Sequence, residues 1–160
     1  MAEAWEVLGQ TEKASGYYDA ALENARRDSG PFAYVFNAPL LARIAVKYHK
    51  AGRKEEAARI LVRARESAAG GENRTSEKAQ SLAIIAGAYA ETGESKKASK
   101  LLLEALKALA DLDDRFQPDR SGGLASVAAA YVRTGIEFDD EAQKVLRAIL
   151  DRETAPKEGR

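Results

Sequence analysis

The chain contains no cysteine and only one histidine, His49. Disulfide bridges, zinc sites with thiolate ligands and thiol nucleophiles are therefore excluded. One histidine cannot build a His-based metal cluster or a histidine dyad. The lack of cysteine is compatible with a reducing compartment, and we expect a cytoplasmic protein.

The chain also lacks a net charge and a long apolar run. Lys plus Arg and Asp plus Glu both total 25, so long-range attraction to nucleic acid or anionic lipid is not built in. Met1–Gln10 lacks the basic start and apolar run of a secretory signal, and no stretch approaches the roughly 18 apolar residues that a spanning helix needs. With 31% charged and 45% apolar residues, the chain is expected to fold in water. We expect neither nucleic acid nor membrane among its partners.

The sequence signatures of catalysis and nucleotide binding are missing. Gly70-Gly71 and Gly122-Gly123 lack the Lys and Ser/Thr context of a phosphate-binding loop. Acidic pairs such as Glu55 and Glu56 are adjacent in sequence, and nothing places them in a pocket that would tune them for acid and base catalysis. We therefore expect no enzymatic activity, no cofactor and no metal.

What the chain does contain is one pattern of five residues repeated three times, at spacings of 41 and 42 residues. The copies are Leu41, Ile44, Ala45, Tyr48 and Gly52; Leu82, Ile85, Ala86, Tyr89 and Gly93; and Leu124, Val127, Ala128, Tyr131 and Gly135. The apolar members fall on one face of a helix, and the glycine can end that helix in a turn. Self-similarity at this period predicts a solenoid of stacked helical units.

A second helix is expected after each glycine, antiparallel to the first. Small residues recur there at fixed offsets, as Ala14, Ala57 and Ala98 and then Ala21, Ala64 and Ala105. Small side chains at a helix crossing let two backbones approach closely. We expect one all-helical repeat domain over residues 1–152, with a partial unit at 1–30, full units at 31–69, 75–112 and 119–152, and a flexible tail at 153–160.

The unit of helix, glycine turn and helix resembles the tetratricopeptide repeat. The residues that carry the resemblance in the first full unit are Leu41, Ala45, Tyr48, Gly52 and Ala57. The period departs from the usual length of about 34 residues, which makes this a long variant with a period of about 42. The resemblance implies a right-handed α-solenoid that binds proteins or peptides along a concave face lined by the first helices.

One subgroup of that family captures chaperone carboxylate ends with Lys, Asn and Arg side chains on the concave face. The matching positions here are Ala42, Val46, His49, Ala83, Gly87, Ala90, Ala125, Ala129 and Val132. A carboxylate clamp is therefore not expected. This stripe of mostly small residues has two interpretations: close packing between neighbouring first helices, or an apolar groove that accepts a peptide or an amphipathic helix, with Lys50, Glu91 and Arg133 at its rim.

The segment Pro31–Pro39 is aromatic, whereas its counterparts in the later units are strongly polar in one case and mixed in the other. Phe32, Val35 and Phe36 share a helical face, and Pro39 should bend or end that short helix. The face either covers the core next to the partial first unit or forms an apolar contact patch. Through such a patch the chain would form homo-oligomers, which makes a self-assembling structural subunit the alternative to a peptide-binding scaffold.

Overall fold

The computed structural model describes residue 4 and residues 7–27, 33–69, 76–112 and 117–154, leaving aside the side chains at 11, 26, 27, 33–36 and 117–119. These described residues form seven helices and no strand. In chain order the helices are α1 (Thr11–Arg27), α2 (Ala33–Lys50), α3 (Lys54–Ala69), α4 (Ser76–Glu91), α5 (Ser95–Ala110), α6 (Gln117–Thr134) and α7 (Asp140–Thr154). The prediction of an all-helical fold is confirmed.

The predicted turn glycines end the first helices as expected. Gly52 and Gly93 have φ angles of +83° and +87°, a region that only glycine enters without strain. After α2 the Arg53 amide donates to the Tyr48 carbonyl at 2.9 Å, and after α4 the Glu94 amide donates to the Tyr89 carbonyl at 2.8 Å. Both are the six-to-one bonds of a Schellman motif, so the two turns are built alike.

The third turn is built differently. Gly135 also has a positive φ of 64°, but its own amide donates to the Tyr131 carbonyl at 3.0 Å, the five-to-one bond of the simpler cap. The chain then continues for longer before α7, which is capped by the Asp139 carboxylate accepting from the Ala142 amide at 2.7 Å.

Helix packing follows the sequence order. α2 packs against α3 and α4 packs against α5, because the three-residue turns between them fold each pair back on itself. α2, α4 and α6 are also consecutive neighbours, so the first helices lie in a row, and α7 packs against α5. The longer third turn leaves α6 and α7 with little direct backbone contact. The third pair is thus less close than the sequence pattern predicts.

One core runs through the described helices and contains most of the repeated apolar positions. Ile44, Ile85 and Val127 are buried, and so are the alanines of the second helices at Ala57 and Ala98. The third copy departs from the pattern, because Ala128 is exposed and Leu124 is half-buried. In the described part of the chain no further helix covers that side of α6.

The three repeated tyrosines are buried. Each ring contacts a different residue, which lies in the turn after the tyrosine or in the helix that follows that turn. The Arg53 guanidinium lies 4.0 Å from the ring centroid of Tyr48, and the Lys97 ammonium lies 5.4 Å from that of Tyr89. Phe138 takes the corresponding place at Tyr131. A shared core position is therefore closed by cation–π contacts in two units and by ring stacking in the third.

Of the two effects expected of Pro39, ending a short helix is wrong: Pro39 lies inside α2, which continues through it to Lys50. Later in the chain, α6 begins at Gln117 and contains both Gly122 and Gly123. Gly123 is there because a β-carbon at this position would lie 2.5 Å from Leu109 Cδ2, so only glycine lets α6 approach α5 so closely.

The start of α6 is held by a buried charge. Arg120 is 2% exposed and donates to Glu153 Oε1 at 2.8 Å, and it also donates to the carbonyl oxygen of Leu112. These bonds tie α6 to the end of α5 and to the last turn of α7. A guanidinium can remain buried only when such partners replace the water that it loses.

Candidate functional site

A groove of about 380 Å³ lies along the row of first helices. Ala42 and Val46 of α2 and Ile84, Gly87 and Ala88 of α4 form its apolar floor. Its charged lining residues are Arg43, Lys47, Lys50, Glu91 and Arg133. The volume falls in the range of roughly 300–1,000 Å³ that is usual for ligand sites, and an apolar floor with a few polar groups is their usual lining.

The rim is formed by charges from three helices. Lys50 Nζ of α2 lies 3.3 Å from Glu91 Oε2 of α4, and both side chains are about half exposed or more, at 64% and 48%. Arg133 of α6 extends over the middle of α4. Four of the charged lining residues are cationic and one is anionic. Arg43 and Lys47 have interaction partners of their own, so the excess positive charge at the rim comes from Arg133, beside the Lys50–Glu91 pair.

Arg133 reaches the groove because Gly87 has no side chain. A β-carbon at Gly87 would lie 2.8 Å from Arg133 Nη2, which is closer than a real contact allows. Gly87 lies in the interior of α4, where glycine costs about 1 kcal/mol relative to alanine. Within the described ranges no carboxylate pairs with the Arg133 guanidinium. The groove therefore contains a cation placed directly over the backbone of its floor.

The structure brings six of the predicted groove residues together and separates the others. The six are Ala42, Val46, Lys50, Gly87, Glu91 and Arg133. Ala83 is buried at 1% exposure, and Ala90 packs partly buried against the core. His49 lines a different pocket, together with Lys54, Leu61 and Glu94 among others. Ala125, Ala129 and Val132 are exposed on α6 and do not line the groove.

Sequence reasoning missed Arg43, Lys47, Ile84 and Ala88, which also line the groove. These residues lie one position further along than the predicted stripe. Ala83 is buried and does not line the groove, whereas the next position along α4, Ile84, faces the open groove. The available signal was the change from small to long side chains between the two stripes, because small residues favour close helix contact.

The predicted aromatic patch falls largely outside the description. Phe32 lies outside the described residues, and Val35 and Phe36 belong to α2 with side chains that are not described. At the same end of the chain Val7 is 87% exposed and Leu8 is 65% exposed.

The shifted titratable groups cluster at the turns that follow the first helices. Burial, together with the hydrogen bond that its hydroxyl donates to Asp19, raises the pKa of Tyr48 to about 12. Burial and then the charge of Asp139 raise the pKa of Tyr131 to about 12. The bond to Arg53 lowers the pKa of Glu56, and the bond to Glu94 raises that of Lys97. These groups hold the turns together and do not line the groove.

The described residues form neither a cluster of metal ligands nor a helix suited to a membrane. No three His, Asp or Glu side chains in those ranges come together as metal ligands. None of the seven described helices is both long and apolar enough to span a bilayer. Comparison with known proteins also found no match, neither among family models nor among curated proteins nor among solved structures.

Proposed function

We propose that the chain is a non-catalytic, cytoplasmic interaction module that binds a peptide or an amphipathic helix in the groove along α2, α4 and α6. In this proposal the helix pairs form a right-handed solenoid of the tetratricopeptide type, and the groove is its concave face. The observation that carries the proposal is the groove itself. It has a volume of about 380 Å³ and an apolar floor edged by charges from three helices. Apolar floors supply binding energy, and rim charges orient the ligand.

A selection with a random-peptide display library tests this proposal. Peptides that bind the chain should lose affinity when Ile84→Gln removes an aliphatic side chain from the groove floor. Ile84 is 36% exposed, so the change should leave the fold intact. Fully burying an isoleucine is worth about 1.5–3 kcal/mol, and Ile84 has only about a third of its surface left to bury, so we expect roughly two- to fivefold weaker binding.

Val62→Gln is the matched control, because Val62 is also a branched aliphatic residue on a helix surface, 48% exposed on α3. α3 contributes no residue to the groove, so this variant should bind the same peptides as the parent chain. Peptides that respond equally to both changes, or to neither, would contradict the proposal.

A second candidate function is end-to-end self-association, and the open face of α6 favours it. Val132 is 85% exposed, and Ala125, Ala128 and Ala129 are exposed beside it. Within the chain, α6 covers the corresponding side of α4. In this candidate function a second copy covers the open side of α6 in the same way. Light scattering across a concentration series tests this function: association that Val132→Lys abolishes supports it, and a monomer at all concentrations contradicts it.

A further inference from the structure

The charges around the groove point to the kind of peptide that it accepts. We propose that the occupant is an acidic peptide that places an aspartate or glutamate side chain against Arg133 and Lys50, with an adjacent apolar side chain on the floor formed by Val46, Ile84 and Ala88. This inference rests on the proposed function and specifies its ligand.

The balance of charge at the rim differs from that of the chain. The chain as a whole is neutral, with 25 basic and 25 acidic residues, but at the rim Lys50 and Arg133 face a single carboxylate, that of Glu91. Lys50 comes from α2 and Arg133 from α6, so two helices supply these cations to one groove. Excess charge of one sign at a concave site selects a ligand of the opposite sign.

Arg133 occupies a position that suits a carboxylate ligand. Its guanidinium lies where the side chain of residue 87 would otherwise be, and Gly87 is the residue that leaves this space open. A carboxylate is the group whose geometry matches the planar fork of a guanidinium. A peptide lying on the floor beside Gly87 would present its acidic side chain directly to this fork.

Glu91 supplies the one carboxylate of the groove lining. It is paired with Lys50 at 3.3 Å, so part of its charge is already compensated by that lysine. An incoming carboxylate would compete with Glu91 for Lys50, and the Glu91 carboxylate would also repel it. Removing the charge of Glu91 should therefore strengthen the binding of an acidic peptide, a gain that a purely structural role of this residue would not produce.

The test uses the peptides that the random library yields against the intact chain. Those that are sensitive to Ile84→Gln should be enriched in aspartate or glutamate next to an apolar residue, and their affinity should fall as salt increases. Arg133→Gln should weaken them about tenfold, the size expected for one charge-assisted hydrogen bond. Replacing the peptide's acidic residue by its amide should cause a similar loss, whereas Glu91→Gln should tighten binding a few-fold.

Gly87→Ala provides an independent variant, because its added methyl group meets only the far end of the flexible Arg133 side chain. The helix should remain intact while the guanidinium is displaced, so acidic peptides should bind several-fold more weakly. Arg147→Gln is the control for the loss of one positive charge. Arg147 is exposed on α7, and no residue of α7 lines the groove, so this variant should bind the peptides as the parent chain does.

Several outcomes would overturn the inference. If groove-binding peptides show no acidic enrichment and tolerate Arg133→Gln, the inference is wrong while the proposed function stands. If amidation of the peptide C-terminus abolishes binding, the carboxylate comes from the chain end and not from a side chain. If a mixed-sequence oligonucleotide displaces the peptides with similar affinity, the groove recognises phosphates. If no selected peptide responds to Ile84→Gln, both the proposed function and this inference fail.

Discussion

Tyr131 and Phe138 stack with their ring centroids 3.8 Å apart and their planes inclined by 17°. Tyr131 is buried at the end of α6, and Phe138 comes from the turn that leads into α7. Since α6 and α7 make little direct backbone contact, this ring pair and the Arg120–Glu153 pair both help to link them. In the two earlier units a cation takes the place of the second ring.

Phe138→Ala should lower the free energy of unfolding by about 2 kcal/mol, because it removes a half-buried ring and with it the stacking contact to Tyr131. Phe138→Leu keeps most of the apolar volume and should cost only about 1 kcal/mol. Urea denaturation measures both changes. Equal stability of the alanine variant and the parent chain would show that the third pair is held together elsewhere.

The shifted tyrosines predict a loss of stability in alkaline solution. Folding raises the pKa of Tyr48 and of Tyr131 to about 12, compared with about 10 in an unfolded chain. The fold therefore favours the neutral phenols, and this contribution is complete below about pH 10 and lost as the pH rises through 12. Each tyrosine contributes of the order of 2 kcal/mol.

This prediction is checked by urea denaturation at increasing pH together with tyrosinate absorbance. The absorbance should show a late phase that includes Tyr48 and Tyr131. Tyr131→Phe keeps the ring that stacks on Phe138 but cannot ionise, so it should flatten the alkaline fall in stability. An unchanged pH dependence in that variant would mean that Tyr131 ionises as readily in the folded chain as in the unfolded one.

Two adjacent glycines of α6 should respond in opposite ways to the same substitution. A β-carbon at Gly122 would meet no atom within 4 Å, so Gly122→Ala should stabilise the helix by about 0.5–1 kcal/mol. A β-carbon at Gly123 would lie 2.5 Å from Leu109 Cδ2 and 3.3 Å from the β-carbon of Ser76. Gly123→Ala should therefore destabilise the chain by about 1–3 kcal/mol. Thermal melts that rank the two variants in the reverse order would contradict the packing of α6 on α4 and α5.

Ala83 and Ala125 occupy the same repeat position, yet the structure gives them different surroundings. Ala83 of α4 is 1% exposed, whereas Ala125 of α6 is exposed. Ala83→Glu would bury an unpaired carboxylate and overfill a close helix contact, and we expect it to cost about 3 kcal/mol or more. Ala125→Glu should change stability by no more than about 0.5 kcal/mol. Denaturation measures both changes. Similar effects at both positions would mean either that Ala83 is not buried by the neighbours of α4 or that Ala125 of α6 is buried as well.

Much of the fold could be predicted from the sequence because its signals are local. The positive φ angles of Gly52 and Gly93 follow from a glycine placed four residues after a buried tyrosine, and Ala57 and Ala98 are buried where a close helix crossing was expected. The course of α2 through Pro39 was not predicted, because a proline's local preference is overridden when the neighbouring residues pack well. Asn37 and Ala38, directly before it, are both buried.

The groove could be predicted only in part. The first helices are apolar over most of their circumference, so more than one stripe of residues could line a groove. Helical periodicity does not show which stripe is covered by a neighbouring helix. The structure places Ala83 between helices and opens the next position, Ile84, to the groove. The approach of Arg133 to Gly87 joins residues of two different units, and no spacing within one helix encodes such a contact.

Amide chemical shifts would show residue by residue whether a ligand binds along α2, α4 and α6, as we propose. The isotope-labelled chain would be titrated with the tightest peptide from the random library. We predict that the largest shift changes lie at Val46, Gly87 and Arg133, with little change along α7. Changes confined to α7 or to the exposed face of α6 at Val132, with none at Val46 and Gly87, would contradict the account.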